Sequence, residues 1–261
     1  MTIDASKCSV LITGGTQGLG FSVAENLVKN GCKKIIISGR DTDKGYKAAD
    51  LISSKDVKCY FIRADVSQVD DCKNLFEQSI KHFGHINSLV NSAAITTRGT
   101  IQDTSLDLWD QHINTNLRAP FILIQSLTNH LIALGKKGSV VNILSLSGYV
   151  GQSFLTAYST SKGGLMTLTK NAANALKNHN IRVNAVAPGW MDTPGEDEIQ
   201  KKFHNARDSW LEESEKKQPF GQLIKTYEIS PLIVYLLSPS SGVITGSIID
   251  YDQNIVGSVP E

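Results

Sequence analysis

The chain has 261 residues, 41% of them hydrophobic, and a formal net charge of +1. That length suits one α/β domain. The near-zero charge excludes the strong electrostatic bias of a nucleic-acid-binding or membrane-surface protein. No run approaches the roughly 20 apolar residues of a membrane span, and "MTIDASKCSV" has neither the charged nor the apolar region of a signal peptide, so the expectation is a cytoplasmic protein.

In chain order, short β-branched apolar runs alternate with amphipathic ones. Strands are expected at 8–13, 33–38, 57–65, 86–94, 138–145 and 181–189, and helices at 21–31, 44–53, 72–84, 107–134 and 155–178. Strands that are apolar throughout, separated by helices, imply a parallel sheet covered on both faces. The reading is therefore a single α/β domain, a Rossmann-type doubly wound sheet of about seven strands. Residues 195–217 break the rhythm. Ile199, Phe203, Ala206 and Trp210 are spaced as one helical stripe among charged positions. The segment is either an ordinary surface helix or a substrate lid over 190–220, since it leaves a strand end where open α/β sheets bind ligands.

The four cysteines, Cys8, Cys32, Cys59 and Cys72, match no zinc spacing and are expected to be buried thiols in strands. His82 and His85 are spaced for one helix face, but no third ligand stands near, so no metal is expected.

"TGGTQGLG" (13–20) joins the first strand to the first helix. Glycines there let backbone amides approach a pyrophosphate, and the helix start adds free N–H donors. A ligand-free tight turn is the alternative. The second strand ends in Gly39 and Arg40 where an acidic residue would select NAD(H). Arg40 can pair with a 2′-phosphate through its planar fork, so NADP(H) is expected over NAD(H), although Asp41 and Asp43 follow closely. The alternative is a solvated turn arginine.

Tyr158 and Lys162 in "AYSTSKGG" share one helix face, a pairing that by itself is often chance. A lysine cation nearby would favour the phenolate and lower its pKa from about 10. Ser145 stands thirteen residues ahead of Tyr158, at a strand end, where a hydroxyl can stabilise charge developing on a substrate oxygen. Pro120, four residues after Asn116, has no N–H to offer that residue's carbonyl.

Taken together, the sequence resembles the classical short-chain dehydrogenase/reductase family over nearly its whole length. "TGGTQGLG" fits TGxxxGxG, "YSTSK" fits YxxxK, and Ser145, Asn116 in "NTNLRAPF" and "APGWMDT" (187–193) fall in the family's order. The resemblance implies catalytic Asn116, Ser145, Tyr158 and Lys162. It implies a cofactor held by Gly14, Thr16, Gln17, Gly18, Leu19 and Gly20, by Arg40, Asp65, Val66 and Asn91, by Tyr158 and Lys162, and by Pro188, Gly189 and Thr193. It also implies a water near the Asn116 carbonyl, which Pro120 would leave open; a proline that only kinks the helix is the equal alternative. "NSAA" (91–94) and "DQN" (252–254) depart from the family's NNAG and DGG.

The implied function is NADP(H)-dependent interconversion of a carbonyl and an alcohol. The competing class is an NADP(H) sensor without turnover, disfavoured because Asn116, Ser145, Tyr158 and Lys162 are all present. Substrate contacts are expected from Ser145, Ser147, Tyr149, Gln152, Tyr158 and Trp190, with Leu146 and the lid. Tyr149, Trp190, Phe203 and Trp210 suggest a partly apolar pocket. The implied partners are a small-molecule carbonyl or alcohol and further copies of the chain, as a homotetramer or homodimer built on 107–134 and 155–178, with no nucleic acid or membrane.

Overall fold

The computed structural model describes residues 3–258. The first half runs β1 (Ser9–Thr13), α1 (Gly18–Lys29), β2 (Lys34–Gly39), α2 (Thr42–Ile52), β3 (Lys58–Arg63), α3 (Val69–Phe83), β4 (Ser88–Asn91), α4 (Leu106–Ile113) and α5 (Ala119–Ala133). The second half runs β5 (Gly138–Ile143), α6 (Thr156–Leu176), β6 (Ile181–Pro188), β7 (Met191–Asp192), α7 (Pro194–His204), α8 (Trp210–Glu215), β8 (Ile224–Lys225), α9 (Thr226–Leu237) and β9 (Ile248–Tyr251).

Seven strands form one parallel sheet in the order β3-β2-β1-β4-β5-β6-β9. Every residue of β1 and β4 is buried, because helices cover both faces. On one face α1 and α9 pack together over Val10, Ile12, Ile35 and Ile37; on the other, α3 and α5 pack over Leu11, Ile36 and Leu89. Odd and even positions of a strand thus feed two separate apolar layers, as the period of two requires. The strand order reverses between β1 and β4, and a crevice opens there beyond the strands' C-terminal ends.

Three local features depart from the sequence expectations. The helix expected over 107–134 is interrupted by a π-helical turn at Asn114–Arg118, immediately before Pro120 enters the first turn of α5. The stripe expected over 195–217 does not lie on one helix: Asn205, at φ 50, adopts the left-handed conformation and ends α7, so Ala206 and Trp210 belong to a second segment. Of the cysteines only Cys59 is in a strand; all four are nonetheless buried and free.

Candidate active site

The crevice is a cavity of about 990 Å³ running from the β1–α1 turn to the segment after β6. At one end the backbone comes unusually close to itself. A Cβ on Gly20 would run into the Gly14 carbonyl oxygen, and one on Gly14 would lie 2.9 Å from the Ala93 backbone. Only bare backbone fits, so the turn presents amides and the start of α1 to the cavity. Gly14, Thr16, Gln17, Gly18, Leu19 and Gly20 all line it, as do Arg40, Asp65 and Val66. Asp41 caps α2, its carboxylate accepting from the Lys44 N–H at 3.0 Å. Lys44, which the sequence reading passed over, joins Arg40 on the cavity wall, and its Nζ donates to Gln17 Oε1 at 3.4 Å.

Behind the cavity wall runs a buried polar chain. Asn91 Nδ2 donates to Asn142 Oδ1 at 2.8 Å, and Asn142 Nδ2 donates to Thr169 Oγ1 at 2.9 Å. Thr13 Oγ1 accepts from the Ser92 and Ala93 N–H groups, both at 3.2 Å, and so fixes the strand end where "NSAA" begins. Asn116 also lies behind the wall. Its Oδ1 accepts from the Ile95 N–H, and its Nδ2 donates to the Ile95 carbonyl and to Ser161 Oγ, each at 3.0 Å. Ser161 Oγ in turn donates to the Tyr158 carbonyl at 2.7 Å. Neither Asn91 nor Asn116 lines the cavity; Asn116 holds the backbone of Ile95, which does.

Ser145, Tyr158 and Lys162 meet on the cavity wall. Ser145 follows β5 and caps a short 3-10 turn at Leu146–Gly148, with its Oγ 2.6 Å from Ser147 Oγ. That turn packs directly on α6: a Cβ on Gly163 would stand 3.2 Å from the Gly148 carbonyl oxygen. The close approach accounts for a glycine inside a helix, where it costs roughly 1 kcal/mol relative to alanine. Lys162 is buried; its Nζ donates to the Ile143 carbonyl at 2.8 Å and lies 5.7 Å from the centre of the Tyr158 ring. Burial lowers the Lys162 pKa to about 8. Burial also pushes Tyr158 up to about 12, against the pull of the Ser145 hydrogen bond; Glu196 adds to the rise and Arg98 opposes it. The lowered tyrosine pKa anticipated from Lys162 is therefore not found here, because desolvation dominates and the ammonium is turned to a carbonyl. The ring of His112, another residue the sequence reading passed over, stands edge-on to Tyr158 at 6.4 Å.

The remaining anticipated residues divide. Ser147, Gln152, Pro188, Gly189, Trp190 and Thr193 line the cavity. Thr193 Oγ1 caps α7, accepting from the Glu196 N–H at 3.1 Å. Tyr149 does not line the cavity: its hydroxyl donates to Asp250 Oδ1 at 2.8 Å, on β9. Trp210, at the start of α8, is buried; its Nε1 donates to Asp197 Oδ1 at 2.7 Å and its ring stacks on Trp190 at 6.0 Å. Phe203 lies under Lys202 Nζ, 5.2 Å from its ring centre, and does not reach the cavity. Of these aromatics only Trp190 lines the cavity, with Leu146, Phe154, Leu155 and Met191, and the partly apolar wall they form also carries Arg98, Gln152, Glu196, Gln200 and His204. Sequence could not reveal Arg98, which reaches the site only because Gly99 bridges to Leu155.

A parallel sheet with a glycine-lined switch-point crevice, opening onto a serine, a tyrosine and a lysine, defines a dinucleotide-dependent oxidoreductase architecture. The family model for short chain dehydrogenases matches residues 9–203. The chain is 33% identical over 239 residues to an NADP-dependent (R)-specific alcohol dehydrogenase of Lentilactobacillus kefiri, covering 91% of this chain and 92% of that one. It is also 33% identical over 258 residues to a 3-oxoacyl-[acyl-carrier-protein] reductase of Thermotoga maritima, covering 98% of this chain and all of the relative (100%). A crystal structure of a short-chain type dehydrogenase/reductase from Mycobacterium marinum superposes with a TM-score of 0.88 at 28% identity, covering 98% of both chains. The chain belongs to the short-chain dehydrogenase/reductase family, whose members are oxidoreductases acting on CH–OH groups with a nicotinamide cofactor. Among the described residues no helix is long and apolar enough to cross a membrane.

Proposed function

We propose that the protein interconverts a carbonyl and an alcohol with NADP(H), Tyr158 acting as general acid in reduction and general base in oxidation. The observation that carries this reading is the meeting of Ser145, Tyr158 and Lys162 on the wall of a cavity continuous with the glycine turn. Gly14, Thr16, Gln17, Gly18, Leu19 and Gly20 would hold the pyrophosphate. Asp65 and Val66 would face the adenine, and Pro188, Gly189, Thr193 and Lys162 the nicotinamide end, with Asn91 and Asn116 as positioning residues. A bound nicotinamide supplies or removes the hydride.

The chain's own groups handle the proton. Tyr158, protonated to about pH 12, is a ready donor to a developing alkoxide. Ser145 stabilises the same oxygen, and a charged Lys162 makes the phenolate left behind less costly. NADP(H) is favoured over NAD(H) because Arg40 and Lys44 both line the adenosine end, while Asp41, which lines the same cavity, has one carboxylate oxygen engaged as a helix cap. The L. kefiri relative's NADP dependence agrees with this choice. Exposed Phe121, Ile132 and Leu134 on and just after α5 support assembly as a homodimer or homotetramer.

The test is NADPH oxidation with a panel of ketones, 3-oxoacyl thioesters and quinones, comparing wild type with Tyr158→Phe. The variant should bind NADPH and lose about 10²- to 10⁴-fold in kcat. Equal rates in both proteins would refute the role of Tyr158, and binding without turnover in both would favour a sensor.

A further inference from the structure

The substrate end of the cavity is lined by a charged pair that the proposed chemistry does not use. Gly99 donates its N–H to the Phe154 carbonyl at 2.9 Å and accepts from the Thr156 N–H at 3.1 Å, which places Arg98 against the start of α6. The Arg98 guanidinium lies 5.5 Å over the centre of the Phe154 ring. Its Nε donates to His204 Nε2 at 3.1 Å and its Nη1 to the Thr96 carbonyl at 3.0 Å. Its Nη2 stands 3.7 Å from Glu196 Oε1, and the two side chains are only 15% and 16% exposed. A charge-assisted hydrogen bond would be about 2.7–2.9 Å long. The two groups therefore attract without bonding. Glu196 Oε1 is already engaged by Trp190 Nε1 at 2.8 Å and Gln200 Nε2 at 2.7 Å. Both charges act on the Tyr158 hydroxyl, with opposite sign, so the pair stands near the proposed proton donor.

The balance of charge narrows what fits. Glu196, Glu198 and Asp252 line this end against Arg98, while buried Lys162 is held by the Ile143 carbonyl. An anionic substrate would bring a further carboxylate among these three. A purely apolar ketone would strip water from a guanidinium and a carboxylate and offer them nothing. A hydroxyl group suits both at once, since it can accept from Arg98 and donate to Glu196.

We infer that Arg98 and Glu196 are a specificity pair that selects neutral, hydroxyl-bearing carbonyl or alcohol substrates, binding a hydroxyl on a carbon near the reacting one. The inference rests on the proposed reaction for where the substrate carbonyl lies. Its test uses three substrates of equal chain length: a polyhydroxylated ketone, the same ketone without the additional hydroxyls, and the corresponding oxo acid. Wild type should prefer the hydroxylated ketone by about 10- to 100-fold in kcat/KM. In Arg98→Met and in Glu196→Gln that ratio should fall toward one. A wild type that prefers the oxo acid or the plain ketone overturns the inference, as does a ratio that neither substitution moves. A second arm titrates the NADP⁺-loaded Tyr158→Phe protein with the hydroxylated and plain ketones by calorimetry, with and without Arg98→Met. If wild type turns over none of the three substrates, the proposed reaction fails, and the binding arm still decides. Preferential binding that Arg98→Met abolishes supports the pair, and binding without preference overturns it.

Discussion

Lys162 illustrates how a single side chain can work against the fold that contains it. It is 3% exposed, and burial brings its pKa from 10.5 to about 8. At pH 7 the native protein therefore holds a charge that its surroundings disfavour. Between about pH 8 and pH 10.5 the unfolded chain keeps a proton there that the native chain has released, so native stability should rise with pH over that window. Lys162→Met should remove this rise in denaturant titrations. It should also stabilise the protein at pH 7 by about 1–3 kcal/mol, less whatever the lost bond to the Ile143 carbonyl contributes, while lowering kcat about 100-fold or more. Carbonyl reduction by wild type should decline as pH climbs through about 8, because Lys162 loses its charge long before Tyr158, near 12, loses its proton. A profile flat from pH 7 to 10 would contradict the electrostatic role. The placement of Ser145, Tyr158 and Lys162 on one wall was legible in the sequence because strand β5 and helix α6 fix it locally. The pKa directions were not, because burial depends on what the rest of the chain packs above the site.

Among the elements, strands were the easiest to read, since a strand covered on both faces must be apolar throughout. The breaks were harder. The π turn at Asn114–Arg118 and the left-handed Asn205 both interrupt runs whose side-chain spacing still looks helical. What ties down the segment carrying α7 and α8 was also hidden, because its parts are distant in sequence. Lys225 Nζ reaches Asp192 Oδ2 at 2.8 Å and Glu215 Oε1 at 2.6 Å, joining the two ends of the segment that carries α7 and α8. Burial opposes the lysine's charge, yet the two carboxylates prevail and hold its pKa above the ordinary value. Gln253, in the segment that departs from the family's DGG, adds bonds to the Phe220 N–H at 2.8 Å and the Gln222 carbonyl at 2.7 Å. Lys225→Met leaves two part-buried carboxylates without their cation. It should cost about 1 kcal/mol of stability, speed hydrogen exchange across 194–217, and raise KM several-fold with a smaller change in kcat. Exchange that stays at the wild-type rate in that segment would mean that packing alone, chiefly around Trp210, holds it in place.

At the scale of the whole molecule, the alternation of strands and helices was enough to anticipate a doubly wound sheet covered on both faces, but not which helices share each of its two apolar layers. The cysteines give a direct probe of those layers. Cys8, Cys32 and Cys59 belong to the layer beneath α1, α2 and α9, and Cys72 to the opposite one. Burial pushes the Cys32 and Cys59 thiols up to about 12, Cys72 to about 11, and Cys8 above its ordinary value. Since the thiolate is the reactive form, none should react with a disulfide reagent at pH 8 in the native state, and labelling should report opening of the structure. The four sites differ in how much must open. Cys32 follows α1, its Sγ donating to the Cys8 carbonyl at 3.3 Å, and the two lie beneath the joined α1–α9 layer. Cys59 is on β3, one of the two edge strands, fastened on its outer side through Ser53 Oγ at 3.2 and 3.3 Å. Edge segments open at lower free energy than central ones. Labelling followed by mass spectrometry in mild denaturant should therefore find Cys59 reacting first, with a shallow denaturant dependence. Cys8 and Cys32 should react later, with the steep dependence of global unfolding. Four thiols that label together at one rate would show instead that the sheet, edge included, opens as a single cooperative unit.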